Sequence, residues 1–194
     1  MSKDPADTFQ AIFADSIAAH QRFAASSGAS LVRAADAIAH ALQDGRTVLA
    51  CGNGGSASDA EHLVAELVGR FEGERRPLAA IALTANSSML TALVNDYGYD
   101  AMFARQVAAL GSAGDVLVGI STSGGSRNVE AALAAAKTAG LITIALTGRD
   151  GGRMGAGADI HLNVPDAPTP RVQEVHRTIL HALCALVDAR LGRD

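Results

Sequence analysis

Apolar residues recur at the start of the chain at intervals of three and four. Phe9, Ile12, Phe13 and Ile17 form one such series, and Leu31, Ala35, Ile38 and Leu42 form a second. This spacing places each series on one face of a helix. Between them lies Ser26-Ser27-Gly28-Ala29-Ser30, a run of turn formers, so 6–43 predicts two helices, the second closed by Gly45. The pattern then changes. Short apolar runs stand at 47–51, 79–83, 116–120, 142–146 and 159–164, and the first four each lead through a small polar or Gly-rich turn into a helical pattern. Strands that alternate with helices predict a parallel sheet. Val116-Leu117-Val118-Gly119-Ile120 is apolar on both faces, as a strand buried between two helix layers must be. A last stripe, Val172, Val175, Ile179, Leu183, Leu186 and Val187, predicts one long helix over about 171–191. The expected fold is α/β, a three-layer αβα sandwich around a five-stranded parallel sheet. It forms a single domain over 1–194, with N-terminal helices in 1–45 and the α/β core and C-terminal helix in 46–194.

Composition narrows the function classes. Hydrophobic residues make up 48% of the 194 residues and charged residues 19%, which is globular rather than disordered composition. The formal net charge of -4 argues against a general nucleic-acid binder. Cys51 and Cys184 are the only cysteines and lack CxxC spacing, so no disulfide framework is expected and a reducing compartment fits best. The polar stretch over residues 1–7 lacks the apolar core of a signal peptide, and no uncharged apolar run reaches ~20 residues. A cytoplasmic protein without a membrane span is the expectation.

In a parallel sheet, ligands bind outside the carboxyl ends of the strands, so the loops there carry the candidate chemistry. The first reads Cys51-Gly52-Asn53-Gly54-Gly55-Ser56-Ala57-Ser58-Asp59. Its glycines let backbone N–H groups approach a phosphate or a sugar, and a helix N-terminus adds partial positive charge. The stretch fits a relaxed GxGxxA fingerprint. However, Leu83-Thr84-Ala85-Asn86 after the second strand offers no acid for a ribose, and no Gly-Lys-Ser/Thr closes a Walker loop. The alternative is a tight structural turn. The third strand opens into Ser121-Thr122-Ser123-Gly124-Gly125-Ser126. One hydroxyl suffices to cap a helix, whereas four hydroxyls among glycines make an anion cradle. Thr147-Gly148-Arg149-Asp150-Gly151-Gly152 reads as a turn-rich connection.

Titratable groups cluster on two helices. His62 and Glu66 lie four apart, on one helical face. Such a pair holds a divalent metal, supplies an acid and a base, or sits as an exposed pair on a solvated face. The C-terminal helix offers Gln173, Glu174, His176 and His181. Gln173 and His181 are eight apart, about 12 Å along the axis and about 80° around it. They meet on one ligand only with facing side chains, a bent helix start or contributions from different subunits. Asn95-Asp96-Tyr97-Gly98-Tyr99-Asp100 reads as a turn between two helical stretches, with Asp96 a possible acceptor for sugar hydroxyls.

Taken together, these stretches resemble the sugar isomerase (SIS) family of phosphosugar-binding domains. The matching segments are Cys-Gly-Asn-Gly-Gly-Ser at 51–56, Asp59-Ala60-Glu61-His62 with Glu66, and Asn-Asp-Tyr-Gly-Tyr at 95–99. Others are Gly-Asp-Val-Leu-Val-Gly-Ile-Ser-Thr-Ser-Gly at 114–124, Leu-Thr-Gly-Arg-Asp-Gly-Gly at 146–152, and Arg-Val-Gln-Glu-Val-His at 171–176 with His181. The resemblance implies a flavodoxin-like fold and a homotetramer with active sites at subunit boundaries. It implies an aldose-ketose isomerase that converts sedoheptulose 7-phosphate into D-glycero-D-manno-heptose 7-phosphate, the first step toward nucleotide-activated heptose and lipopolysaccharide core. It further implies zinc ligands at His62, Glu66, Gln173 and His181, with Glu66 and His181 as the acid/base pair. Substrate contacts are implied at Asn53, Gly54, Gly55, Ser56, Asp96, Ser121, Thr122, Ser123, Ser126 and Gln173. Two positions depart from the family pattern: Gly125 stands where members usually carry Asn, and Pro170 where some carry Asp. A non-catalytic relative that binds the bacterial replication initiator shares this fold but generally lacks the His/Glu/His set. Sugar-phosphate-sensing regulators add a DNA-binding domain, for which 194 residues leave no room.

Overall fold

In the computed structural model, which describes residues 4–192, the first helix α1 (Pro5–Gln43) runs unbroken for 39 residues. The first three positions of the polar N-terminal stretch lie outside the described residues. The expected break at 26–30 is absent, and the reason is phase. Ala19, Phe23, Ala34 and Ile38 are all buried, and Ser27, Ser30 and Leu31 between them are half-buried, so one stripe crosses the Ser/Gly stretch without slipping. A glycine in a helix costs about 1 kcal/mol. Continuous burial against the last helix outweighs that, and the Ser26 hydroxyl donates back to the Arg22 carbonyl, four residues earlier.

The remaining elements alternate as the hydrophobic pattern requires. They are β1 (Val48–Gly52), α2 (Gly55–Val68), β2 (Ala80–Ala82), α3 (Ser87–Tyr97), a 3-10 turn (Tyr99–Ala101), α4 (Met102–Leu110), β3 (Val116–Ser121), α5 (Arg127–Thr138), β4 (Ile142–Gly148), α6 (Gly152–Gly157), β5 (Ile160–Val164) and α7 (Thr169–Leu191). The five strands form one parallel sheet in the order β2-β1-β3-β4-β5. Alternate strand residues feed two cores. Val48, Ala50, Val118, Ile144 and Leu162 face α1, α2 and α7. Leu49, Cys51, Leu117 and Ala145 face α4, α5 and α6. Both cysteines are free and buried, and burial pushes each thiol up to about 12, so neither is a nucleophile at neutral pH.

The segment expected to turn at Asn95-Asp96 does so later. Asn95 and Asp96 belong to the last turn of α3, and the chain bends at Gly98, whose φ of 82° a side chain would strain.

His176 ties α7 to the sheet. Its ring is fully buried, and Nε2 donates to the Thr147 carbonyl at 3.0 Å. Burial pulls its pKa from 6.5 down to about 4, with the Thr147 bond opposing the shift. The unfolded chain therefore takes up a proton near pH 6.5, while the folded chain does not until about pH 4. The contribution of His176 to stability is complete above 6.5 and is lost as the pH falls through that window, by about 2 kcal/mol at pH 5. Urea midpoints at pH 7.5 and pH 5 should differ accordingly in the native chain and differ much less in His176→Gln. An equal pH dependence in both would remove His176 as its source.

Candidate active site

The sheet order reverses between β1 and β3, so the loops after these two strands flank the switch point, where open parallel sheets bind ligands. They are stitched together by a residue that the sequence reading missed. Asn128, buried in the first turn of α5, donates to Asn53 Oδ1 and accepts from Asn53 Nδ2, both at 2.9 Å. The Tyr99 hydroxyl also donates to Asn53 Oδ1, at 2.8 Å. Asn53 is thus fixed by groups from two other segments. Asp96 is exposed at the end of α3 and accepts from its neighbour Asn95; the segment reaches the first loop through Tyr99 instead.

In the second loop, Ser126 occupies the N-cap position of α5, yet its hydroxyl makes no capping bond. It pairs with Ser121 Oγ at 2.8 Å, and Ser123 Oγ lies 3.3 Å from Ser121 Oγ. Three serine hydroxyls therefore gather at the start of a 12-residue helix, with Thr122 half-buried beside them. This geometry suits an oxyanion rather than simple capping. The loop has a rigid back. Gly124 has a φ of 66°, and a Cβ added there would overlap the Gly151 carbonyl, while the Met154 amide donates to the Gly124 carbonyl at 3.1 Å. The 147–152 turn, read from sequence as a plain connection, is the support on which the hydroxyl loop rests.

Gly54 and Gly55 open α2, and Ser56 is buried in its first turn. A Cβ added at Gly55 would meet the Gln173 carboxamide of α7, which lies directly against it. Farther along the same two helices, His62 Nε2 and His181 Nε2 are 2.8 Å apart, and Glu66 Oε1 is 3.4 Å from His62 Nε2. One ligand atom from each of the three lies within 4.8 Å of the others. The Phe71 ring packs on His181 with centroids 5.7 Å apart. Burial draws the His62 pKa down, and the Arg177 guanidinium and His181 add to that, against the pull of Glu66 and Asp59. A neutral imidazole is the form that binds a metal.

The donor set fits zinc. Two imidazole nitrogens and a carboxylate oxygen, converging and only half-buried, match a catalytic site with an open position. Gln173, expected from the resemblance as a fourth member, has its amide against Gly55 at the other end of the α7 stripe.

Comparison with known proteins places this architecture. The family model described as SIS domain matches residues 12–148. The chain belongs to the SIS domain family. Among curated SIS relatives, it is 57% identical over 157 residues to a phosphoheptose isomerase of Geobacter sulfurreducens, covering 81% of this chain and 83% of that protein. It is 52% identical over 182 residues to the phosphoheptose isomerase of Neisseria meningitidis serogroup A, covering 92% of each. The solved phosphoheptose isomerase of Neisseria gonorrhoeae superposes with a TM-score of 0.90 at 47% identity, over 96% of this chain and 100% of that one. The corresponding protein of Francisella tularensis superposes with a TM-score of 0.92 at 40% identity, over 96% and 99%.

Proposed function

We propose that this SIS-domain chain isomerises sedoheptulose 7-phosphate to D-glycero-D-manno-heptose 7-phosphate, opening the route to nucleotide-activated heptose and lipopolysaccharide core. The observation that carries this reading is the convergence of His62, Glu66 and His181, in a chain whose curated relatives at 52% and 57% identity are phosphoheptose isomerases. The intact cluster also sets it apart from a non-catalytic initiator-binding protein, since function lives in the site rather than the fold. The reading calls for neither nucleic acid nor membrane. No described helix is long and apolar enough to cross a membrane.

The reaction moves one proton between carbons and one between oxygens. Glu66 removes the proton from C1 of the ketose and returns it to C2. His181 carries the hydroxyl proton from O1 to O2, so atoms and charges balance through the enediol. Ser121, Thr122, Ser123 and Ser126 hold the phosphate, while Asn53, Gly54, Gly55, Ser56, Asp96 and Gln173 receive the sugar hydroxyls. His62, Glu66 and His181 are the ligands this geometry supports for zinc, and Gln173, which the resemblance adds to them, also lies beside Gly55 on the substrate side. Zinc bound there supplies positive charge for the carbonyl and enediolate oxygens.

The same reading includes a cytoplasmic homotetramer, with the whole chain acting as one domain. Phe9, Ile12, Phe13 and Ile17 support the assembly: each is 45% to 57% exposed, and together they line one face of α1.

Incubation with sedoheptulose 7-phosphate tests the function directly. Aldose phosphate should form, formation should stop when a chelator strips the metal, and it should return with added zinc. Folded protein that binds the sugar phosphate and turns nothing over in the presence of zinc would refute the isomerase reading.

A further inference from the structure

The distance between Gln173 and His181 along α7 is bridged by a residue to which the function gives no role. Arg177 lies one turn beyond Gln173 and one turn before His181. Its Nη2 donates to Asp59 Oδ1 of α2 at 2.7 Å. The pairings Gly55–Gln173, Asp59–Arg177 and His62–His181 advance in the same direction along both helices, so α2 and α7 run side by side and parallel. The ion pair is the middle rung of three.

Asp59 is an expensive residue at this place. Its side chain is only 5% exposed, and Arg177 is the cation that compensates its charge. Helix packing alone would not need it. Along α7, Val175, Ile179, Leu183 and Val187 repeat every four residues and are all buried. A slide of α7 by one turn therefore exchanges one aliphatic side chain for another, a change that cores tolerate well. The same slide would set Gln173 or His181 opposite Asp59 and leave a buried carboxylate without its cation, which proteins do not tolerate. The polar rung thus distinguishes registers that the apolar rungs do not.

We propose that Asp59 and Arg177 are positioning residues, a strut between a buried carboxylate and a partly exposed guanidinium that fixes the register of α7 on α2 and so brings His181 to His62 and Gln173 to Gly55. The structural part stands on this geometry alone; its catalytic consequence rests on the isomerase reading above.

The test uses the full chain in its assembled form, with Arg177→Met, Arg177→Lys and Asp59→Asn. In metal-free crystals of Arg177→Met and of the native chain, the two Nε2 atoms should lie at least about 1 Å farther apart in the variant, and Gln173 should have left Gly55. Its kcat on sedoheptulose 7-phosphate should fall about 100-fold, the size expected when reacting groups shift by about 1 Å. KM should rise by less than about tenfold, through the displaced Gln173, because the phosphate grip lies elsewhere. Zinc affinity, measured by competition with a chromogenic chelator, should weaken about 10-fold or more. Arg177→Lys, which keeps the cation, should recover most of each loss. If Arg177→Met does not fold, the isosteric Asp59→Asn should give the same displacements. A lowered melting temperature with the His62–His181 contact, kcat and zinc affinity unchanged would overturn the strut. A native chain that never turns over the ketose would instead sink the isomerase reading, and the crystallographic distances would still decide the strut.

Discussion

Replacing Glu66 by glutamine should lower kcat on sedoheptulose 7-phosphate about 1,000-fold, while affinity for the substrate stays within about threefold. Gln has the shape of Glu but takes up no proton, so transfer between C1 and C2 loses its base. It also weakens one corner of the His62, Glu66 and His181 cluster, and the two losses fall on the same step. Folding should be nearly untouched. The Glu66 side chain is partly exposed, and it pairs with His62 at 3.4 Å. The hydroxyl loop belongs to other elements, β3 and α5, and keeps its grip on phosphate. Stopped-assay kinetics with equilibrium binding of the ketose phosphate measure both quantities. Near-native turnover in Glu66→Gln would remove Glu66 as the base and leave His181 as the group to examine.

The second large effect concerns stability. Arg75 is only 3% exposed at its side chain, and its guanidinium closes the end of the helix that carries Glu66. Nη2 donates to the Glu66 carbonyl at 2.7 Å, Nη1 to the Leu67 carbonyl at 2.9 Å, and Nε to Asp188 Oδ1 at 2.7 Å. The last carbonyls of a helix have no partner within it, so this side chain satisfies them and joins α2 to α7 at once. Arg75→Met should destabilise the fold by about 3 kcal/mol, since it strands a half-buried carboxylate and bares the Glu66 carbonyl, while the Leu67 carbonyl keeps the Leu78 amide at 3.1 Å. For a chain of this length, that is about 10 °C in melting temperature. Arg75→Lys should recover little, because an ammonium cannot span carboxylate and carbonyls with one planar fork. A melting temperature within about 2 °C of the native chain would show that the carbonyls find other partners.

What the sequence showed and what it hid differ by range. The strands were legible because each is a short apolar run closed by small polar residues, and the observed bounds fall within a residue or two of the expected ones. The cluster was half legible: His62 and Glu66 share a helical face by spacing alone, but His181 joins them across 119 positions. No local pattern encodes that approach. Gln173 and His181 did not need a bent helix to be useful, since α7 runs alongside α2 and engages it at successive turns. Asp59–Arg177, Arg75–Asp188 and Asn53–Asn128 went unread for the same reason, each being a pairing between distant segments. The misread break in α1 has the opposite origin. Local turn propensity at 26–30 was real, and tertiary burial along one stripe overrode it.

The back-to-back glycines at 124 and 151–152 decide where inherited change can enter the hydroxyl loop. A methyl group at 124 or 152 collides with backbone, and both positions have positive φ, so these sites are closed to drift. Gly125 is open by contrast, since a Cβ added there meets only the Ser123 hydroxyl, at 4.0 Å. Single substitutions at residue 125 can therefore set a side chain beside the Ser123 hydroxyl without moving the backbone. The closed positions on either side keep the cradle itself unaltered.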